Sequence, residues 1–211
     1  RTMSALAAHL PRAPRVGVRV VQLKGGTSFS ERATHDFEIM RAFCEAFNAQ
    51  PCYLPLPVIF QDTAMLSIVR RDRLIERILE EGRGVDVAVF TVGSLGREAL
   101  SLNLGQLEDD EVEALMRDAV GDACSRFFTR EGAVALASVD RRTVGITLEE
   151  LRSRPVRVLV AGGRVKAEAL DTALHMGLAT HLVVDQDLAL ALLERPRGAT
   201  PRGVRDRAPS G

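Results

Sequence analysis

Two glycine pairs, each accompanied by a lysine, are the features of this sequence best suited to chemistry. The first lies in the stretch 20–27, where an apolar run containing Gln22 breaks into Lys24, Gly25 and Gly26. Paired glycines allow a sharp turn and let a ligand approach main-chain N–H groups. A lysine at such a turn can neutralise a phosphate, or attack a carbonyl carbon if its pKa is lowered.

A second copy of this arrangement occurs late in the chain, where the apolar run 156–161 leads into Gly162, Gly163 and Lys166. Strand-to-helix turns also use glycines for purely structural reasons, so neither motif is specific by itself. Two such turns, each with a lysine, indicate a site for a small anionic molecule.

Composition excludes several classes of protein. The 211 residues are 46% hydrophobic and carry a formal net charge of zero, which argues against a nucleic-acid binder with a basic surface. The sequence shows no apolar run of membrane-spanning length and no secretory signal. Its three cysteines lie in apolar surroundings without metal-like spacing. They predict small core residues in a reducing compartment, and therefore a cytoplasmic protein with no metal site.

The elements that must position these residues alternate between strand and helix patterns. Strands are expected near 16–23, 85–91, 156–160 and 181–184, and helices near 35–47, 108–120, 166–175 and 185–193. This rhythm predicts a doubly wound α/β fold with a mostly parallel sheet. A ligand is then expected at the carboxyl ends of the strands.

The two ends of the chain differ from its middle. Residues 195–211 are rich in arginine, glycine and proline without apolar periodicity, and we expect a disordered tail there. The chain begins with Arg1 and opens directly in a helical pattern. We therefore expect residues 1–194 to be one domain that is truncated at its N-terminus.

Several ordered segments together carry a resemblance that covers residues 1–193. They are Val21–Gly26, Leu54–Pro57, Phe90–Ser94, Val120–Phe128, Thr143–Leu151, Val160–Gly163 and Lys166–Ala169. By their order and spacing, the chain resembles the sugar-binding domain of SorC-type transcriptional regulators, and in particular the deoxyribonucleoside regulator branch.

This resemblance implies an effector-sensing module that binds a phosphorylated sugar without a cofactor. Its fold is expected to be similar to that of sugar-phosphate isomerases and coenzyme A transferases. Members of the family normally bind DNA through an N-terminal helix-turn-helix, which this sequence lacks. A homo-oligomer is expected because such regulators usually read two-fold symmetric operators.

The resemblance also gives roles to individual residues. Thr2 lies at the helix start that the family uses for phosphate, Lys166 can share that phosphate, and Asp122 corresponds to an acid that faces sugar hydroxyls. The alternatives are an ordinary helix cap for Thr2, a solvated lysine and a turn aspartate. The candidate effector-binding residues are Thr2, Gln22, Lys24, Gly25, Gly26, Asp122, Gly162, Gly163 and Lys166, and no catalytic residue is assigned.

Lys24 stands where many relatives have asparagine, and this changes the available chemistry. Deoxyribose 5-phosphate opens readily to a free aldehyde, and a desolvated lysine could form an imine with it. The alternative is a simple contact to phosphate or hydroxyl. The segment 100–105 lacks the arginine that relatives use for a second phosphate. The expected ligand is therefore a monophosphate, namely deoxyribose 5-phosphate or a close pentose monophosphate.

A sugar-phosphate isomerase-like enzyme is the alternative function, because the related fold hosts such chemistry. An isomerase needs both a base and an acid around the substrate's first two carbons. The sequence offers Asp122 but no convincing second partner, so the regulatory module is favoured.

Overall fold

The computed structural model describes residues 2–26, 35–96 and 99–195 of the chain. The strands are β1 (Arg19–Val21), β2 (Gln50–Cys52), β3 (Val87–Phe90), β4 (Val92–Ser94), β5 (Gly121–Ala123), β6 (Arg126–Phe128), β7 (Val156–Ala161) and β8 (His181–Val184). The helices are α1 (Thr2–Ala8), α2 (Asp36–Phe47), α3 (Thr63–Val69), α4 (Arg73–Arg83), α5 (Asp109–Asp118), α6 (Ala137–Arg142), α7 (Leu148–Arg152), α8 (Ala167–His175) and α9 (Gln186–Glu194). Two 3-10 turns occupy Leu100–Leu102 and Arg164–Lys166.

A parallel sheet forms the centre of the largest core cluster. Its strands follow the order β3-β7-β8, with Phe90 opposite Leu159 and Leu159 opposite Leu182. Phe90 and Leu159 pack in one cluster with Leu170 of α8. The predicted α/β class with mostly parallel pairing is confirmed, and three of the four predicted central strands lie in this sheet.

The fourth predicted central strand, 16–23, is wrong in its extent and its partner. Val16 is fully exposed and Gly17 has a left-handed φ of 75°, so the regular strand begins only at Arg19. This short β1 pairs in parallel with β2 in a separate two-stranded sheet. The apolar run at 16–23 is therefore not a strand of the β3-β7-β8 sheet.

An antiparallel sheet of order β4-β5-β6 was not predicted from the sequence. Its strands have three residues each, and glycine and aspartate interrupt them, which leaves no apolar periodicity to detect. Thr91 alone separates β3 from β4. The chain therefore passes from the parallel sheet to the antiparallel one at Thr91.

Aspartate side chains cap α3 and α9. Asp62 accepts a hydrogen bond from Met65 N–H, and Asp185 accepts one from Leu188 N–H. The first turn of the predicted helix 166–175 differs, because residues up to Lys166 form a 3-10 turn.

Phe37 of α2 is 63% exposed and stacks on Tyr53 at 5.8 Å between ring centroids. In residues 2–26, 35–96 and 99–195, no helix combines the length and apolar character that crossing a bilayer requires. Apart from Arg195, the predicted tail 195–211 lies outside the described residues.

Candidate functional site

Two polar residues and a glycine follow the central parallel strands at the same edge of the sheet. Thr91 comes directly after β3, Gly162 directly after β7 and Asp185 directly after β8. The carboxyl ends of parallel strands border the crevice in which open α/β sheets bind ligands. The second glycine pair therefore lies where the sequence predicted a binding site.

Lys166 connects two distant parts of the chain at this edge. Its Nζ donates hydrogen bonds to the Oγ1 atoms of Thr2 (3.0 Å) and Thr91 (3.3 Å). Burial lowers the pKa of Lys166, while the charges of Asp122 and Asp185 act in the opposite direction. The structure thus brings together Thr2 and Lys166, the two residues predicted to share a phosphate.

Asp185 holds the turn that contains the second glycine pair. Its Oδ2 accepts a hydrogen bond from Gly163 N–H at 2.7 Å, while its Oδ1 caps α9. A Cβ atom on Gly162 would lie 2.8 Å from Asp185 Oδ2, and Gly163 has a φ of 90°. Glycine at both positions therefore lets the Asp185 carboxylate lie close to the backbone, and the Gly163 N–H is hydrogen-bonded to that carboxylate.

Asp122 is a buried carboxylate on the middle strand of the antiparallel sheet. It is 8% exposed, and its Oδ2 accepts a hydrogen bond from Ser125 N–H at 3.2 Å. Burial raises the pKa of Asp122, whereas hydrogen bonds from Ser101 and Ser125 and the charges of Lys24 and Lys166 act to lower it. The carboxylate therefore lies within electrostatic reach of both lysines.

The backbone around Lys24 is fixed by the segment 143–146. Lys24 forms an isolated antiparallel bridge with Gly145, while Gly25 N–H donates to Val144 O at 3.2 Å. The half-buried Lys24 side chain has its Nζ 3.9 Å from Asp36 Oδ2 and donates to Gly25 O at 3.3 Å. The main chain at Lys24 is therefore held in place while its amine stays partly accessible.

Gln22 and the first glycine pair pack closely around this segment. Gln22 Oε1 accepts a hydrogen bond from Leu54 N–H at 3.0 Å. A Cβ atom on Gly25 would lie 2.3 Å from Pro57 O, and one on Gly26 would lie 2.2 Å from Gln22 Nε2. These contacts make the three residues a support for Lys24.

The nine predicted site residues thus separate into two groups. Lys24, Asp122, Lys166 and Thr2 supply charges and hydroxyl groups, while the glycines and Gln22 shape the backbone beside them. Three residues that the prediction missed also contribute, and they are Thr91, Ser101 and Asp185. Thr91 is the last residue of the predicted strand 85–91 and Asp185 directly follows the predicted strand 181–184, so the strand-end rule could have found both, whereas Ser101 gave no signal.

The cysteines and potential metal ligands give no competing site. Cys124 is close to Asp122 in sequence, and burial raises the pKa of its thiol to about 11. This thiol is therefore protonated at neutral pH and is a poor nucleophile. Within the part of the chain that the structure describes, no three histidine, cysteine, aspartate or glutamate residues cluster as metal ligands.

A surface cavity of about 720 Å³ lies between the end of α5, the loop after β6 and the start of α8. None of the nine predicted site residues lines it. Two arginines in its lining, Arg117 and Arg130, are paired with Asp118 and Glu168. Because these pairs leave little net positive charge, the region around the lysines is the better anion site.

Comparison with known proteins identifies the family of the chain. Residues 1–194 match the Sugar-bind family model, which describes a sugar-binding domain. The chain belongs to the Sugar-bind family. The deoxyribonucleoside regulator of Bacillus subtilis (strain 168) is 42% identical over 192 residues, which are 91% of this chain and 61% of that protein. The chain thus spans about three fifths of the length of this curated relative.

Solved structures of transcriptional regulators share this fold. A DeoR family transcriptional regulator from Listeria monocytogenes matches with a TM-score of 0.81 at 30% identity, over 91% of this chain and 76% of that one. The full-length sorbitol operon regulator SorC from Klebsiella pneumoniae shares the fold, with a TM-score of 0.79 at 21% identity over 92% of this chain and 64% of SorC. The predicted SorC-type resemblance is confirmed, and this Sugar-bind domain is of the kind that transcriptional regulators carry.

Proposed function

We propose that residues 1–194 are the effector-binding domain of a bacterial transcriptional regulator that senses deoxyribose 5-phosphate or a close pentose monophosphate. One observation carries the proposal. Lys24 and Lys166 come from distant parts of the sequence, and the charges of both act on the single buried carboxylate of Asp122. The similarity to the Bacillus subtilis deoxyribonucleoside regulator supports the class of sugar.

The phosphate half of the ligand fits beside Lys166. The ammonium group already donates to two hydroxyl oxygens, those of Thr2 and Thr91, and these hydroxyls can donate their own protons to phosphate oxygens. Asp122 and Asp185 favour the protonated form of Lys166, which is the form that binds an anion. One ammonium and two hydroxyls suit a single phosphate group.

The sugar half of the ligand fits beside Asp122. A carboxylate accepts hydrogen bonds from two hydroxyl groups, and a buried one discriminates strongly against a ligand that leaves it unpaired. Because Asp122 also feels the charge of Lys24, the sugar's first carbon is proposed to point toward Lys24.

Lys24 is proposed to form an imine with the open-chain aldehyde. The unprotonated amine attacks the first carbon, giving a carbinolamine, and loss of one water molecule leaves a carbon–nitrogen double bond. The alternative keeps Lys24 as a charged contact to a phosphate or hydroxyl oxygen. Both assignments place the amine at the sugar, and they differ in whether a covalent bond forms.

Borohydride trapping separates these two assignments. The domain is incubated with deoxyribose 5-phosphate, reduced with sodium borohydride and analysed by peptide mass spectrometry. We expect the reduced sugar phosphate on Lys24. The adduct should disappear in Lys24→Arg, which keeps the charge, and persist at saturating ligand in Lys166→Ala, which should weaken binding. Absence of an adduct at saturating ligand would leave Lys24 as a polar contact. Unchanged affinity in Lys24→Ala would refute the site itself.

A sugar-phosphate isomerase is the alternative, and product formation decides it. Isomerisation needs a proton donor and a proton acceptor beside the first two carbons, but Asp122 is proposed to bind hydroxyl groups and Lys24 to bind the aldehyde carbon or an oxygen. We therefore expect no turnover of pentose phosphates, measured by nuclear magnetic resonance over hours. In the full regulator, operator binding is proposed to belong to a separate DNA-binding segment, and the protein is proposed to act in the cytoplasm as a homo-oligomer.

A further inference from the structure

Gly93 stands directly opposite the ligand-facing carboxylate. β4 and β5 pair antiparallel, and Gly93 is the register partner of Asp122. Directly opposed residues in such a pair send their side chains to the same face of the sheet. A Cβ atom on Gly93 would lie 2.2 Å from Asp122 Oδ1. The carboxylate therefore occupies the space that a side chain at position 93 would need.

Backbone conformation does not require a glycine here. Gly93 lies within a regular strand and is absent from the residues with positive φ, so alanine could adopt its backbone angles. Glycine inside a strand weakens that strand, because it adds flexibility in the unfolded chain and contributes no packing. What Gly93 provides is room for the Asp122 carboxylate.

The hairpin that follows Asp122 holds the other carboxylate oxygen. Cys124 and Ser125 link β5 to β6 with φ values of 52° and 63°, both in the left-handed region. Two-residue hairpin turns of this kind favour asparagine and glycine, so cysteine and serine carry strain here. The turn brings Ser125 N–H within 3.2 Å of Asp122 Oδ2. The strained turn thus supplies a hydrogen bond to one oxygen of the Asp122 carboxylate, and the missing side chain at Gly93 leaves room for the other oxygen.

We propose that Gly93 is a positioning residue that determines sugar recognition through Asp122. This inference rests on the proposed function, because it assigns Asp122 to the sugar hydroxyls. Any side chain at position 93 displaces the carboxylate from the position at which the charges of Lys24 and Lys166 both act on it. Lys166, Thr2 and Thr91 remain in place, so phosphate binding is retained while recognition of the sugar is lost.

A matched pair of glycine substitutions tests this proposal. Gly93→Ala introduces the contact with Asp122, whereas Gly96→Ala places a Cβ atom with no heavy atom within 4 Å. Affinities for deoxyribose 5-phosphate and for inorganic phosphate are measured by calorimetry for both variants. We expect Gly93→Ala to weaken sugar-phosphate binding by about tenfold or more, the cost of an unpaired buried polar group. Its affinity for inorganic phosphate should not change, and Gly96→Ala should match the parent for both ligands.

A double-mutant cycle shows whether Gly93 acts through Asp122. In an Asp122→Ala background the carboxylate is absent, so adding Gly93→Ala should neither weaken sugar-phosphate binding further nor lower the urea midpoint of unfolding. If Gly93→Ala alone fails to fold but the double variant folds, the steric contact is supported. Failure of both to fold would overturn it.

Three further results would overturn the proposal. The first is that Gly93→Ala binds the sugar phosphate as tightly as the parent. The second is that Gly93→Ala loses as much affinity for inorganic phosphate as for the sugar phosphate. The third is that Gly93→Ala lowers sugar-phosphate affinity by the same factor in the Asp122→Ala background as in the parent. If the parent binds no sugar phosphate, the proposed function fails instead. The unfolding part of the cycle would still test the contact between Gly93 and Asp122.

Discussion

Arg126 donates a hydrogen bond from Nη2–H to the carbonyl oxygen of Gly145 at 3.1 Å, and Gly145 is the residue that pairs with Lys24. The guanidinium is nearly fully buried and also donates to the carbonyl oxygens of Thr143 and Ile146. Arg126 begins β6, the strand that pairs with the strand of Asp122. One buried arginine thus connects the segment that bears Lys24 to the hairpin that bears Asp122.

Loss of this arginine should destabilise the whole domain. Arg126→Ala leaves several buried carbonyl groups unpaired, together with the Asp140 carboxylate that Arg126 contacts at 3.0 Å. We expect the free energy of unfolding to fall by about 3–5 kcal/mol, as when one partner of a buried ion pair is removed. The control is Arg130→Ala, because Arg130 is 70% exposed and its pair with Glu168 should contribute at most about 1 kcal/mol. Urea unfolding of both variants measures the difference, and equal losses would contradict this role.

Phosphate binding should weaken at alkaline pH. Burial lowers the pKa of Lys166, so its ammonium group loses its proton at a lower pH than the usual value of about 10.4. Affinity for inorganic phosphate should therefore fall as pH rises from neutral through this lowered pKa. Lys166→Arg keeps its charge over the whole range and should lose less affinity than the parent at alkaline pH. Identical profiles for the parent and the arginine variant would show that Lys166 does not hold the anion.

Asp122 should reduce the stability of the ligand-free domain as pH rises. Burial raises its folded-state pKa above the unfolded value of about 3.9, so between these values the folded state binds more protons than the unfolded state. Stability then falls as pH rises through that interval. Asp122→Asn removes this pH dependence, so the variant should gain stability relative to the parent as pH rises from the unfolded-state pKa toward the raised folded-state pKa of Asp122. Urea unfolding at several pH values would detect it, and a pH-independent difference would refute it.

A comparison of two helix-capping aspartates can separate an effect on stability from an effect on ligand binding. Asp62 and Asp185 each cap a helix, but only Asp185 also holds the Gly162–Gly163 turn next to Lys166. Either change to alanine should cost about 1 kcal/mol, which is typical of a lost N-cap. Asp185→Ala should also weaken binding of the sugar phosphate, whereas Asp62→Ala should not. Equal affinities in the two variants would remove Asp185 from the site.

The parallel sheet was predictable because its strands are mostly apolar. The residues from Val158 to Ala161 are aliphatic, and they are buried from Leu159 onward, which leaves a clear signal in the sequence. The antiparallel sheet gave no such signal, since Gly93 and Asp122 occupy strand positions where apolar residues would be expected. The feature that hid this sheet from prediction is the same one that makes room for the carboxylate.

The lysines of the candidate site could be predicted from the sequence, whereas its hydroxyl groups were harder to predict. Lys24 and Lys166 stand beside glycine pairs that are visible in the sequence. Ser101 was missed because the contact between its side chain and Asp122 is long-range and leaves no local pattern. The contact between Lys166 and Thr91 spans 75 residues and depends on the path of the chain between the two sheets.

The grouping of both lysines around one carboxylate also gives the chain a spectroscopic property. Lys24 and Lys166 are the only lysines of its 211 residues. Isotopic labelling of lysine would therefore yield two ε-carbon resonances from this chain, and both would come from the candidate site. Titration with a sugar phosphate would then report on each amine separately, without assignment of the remaining spectrum. Conversion of one amine to an imine would move one resonance and leave the other to follow the phosphate.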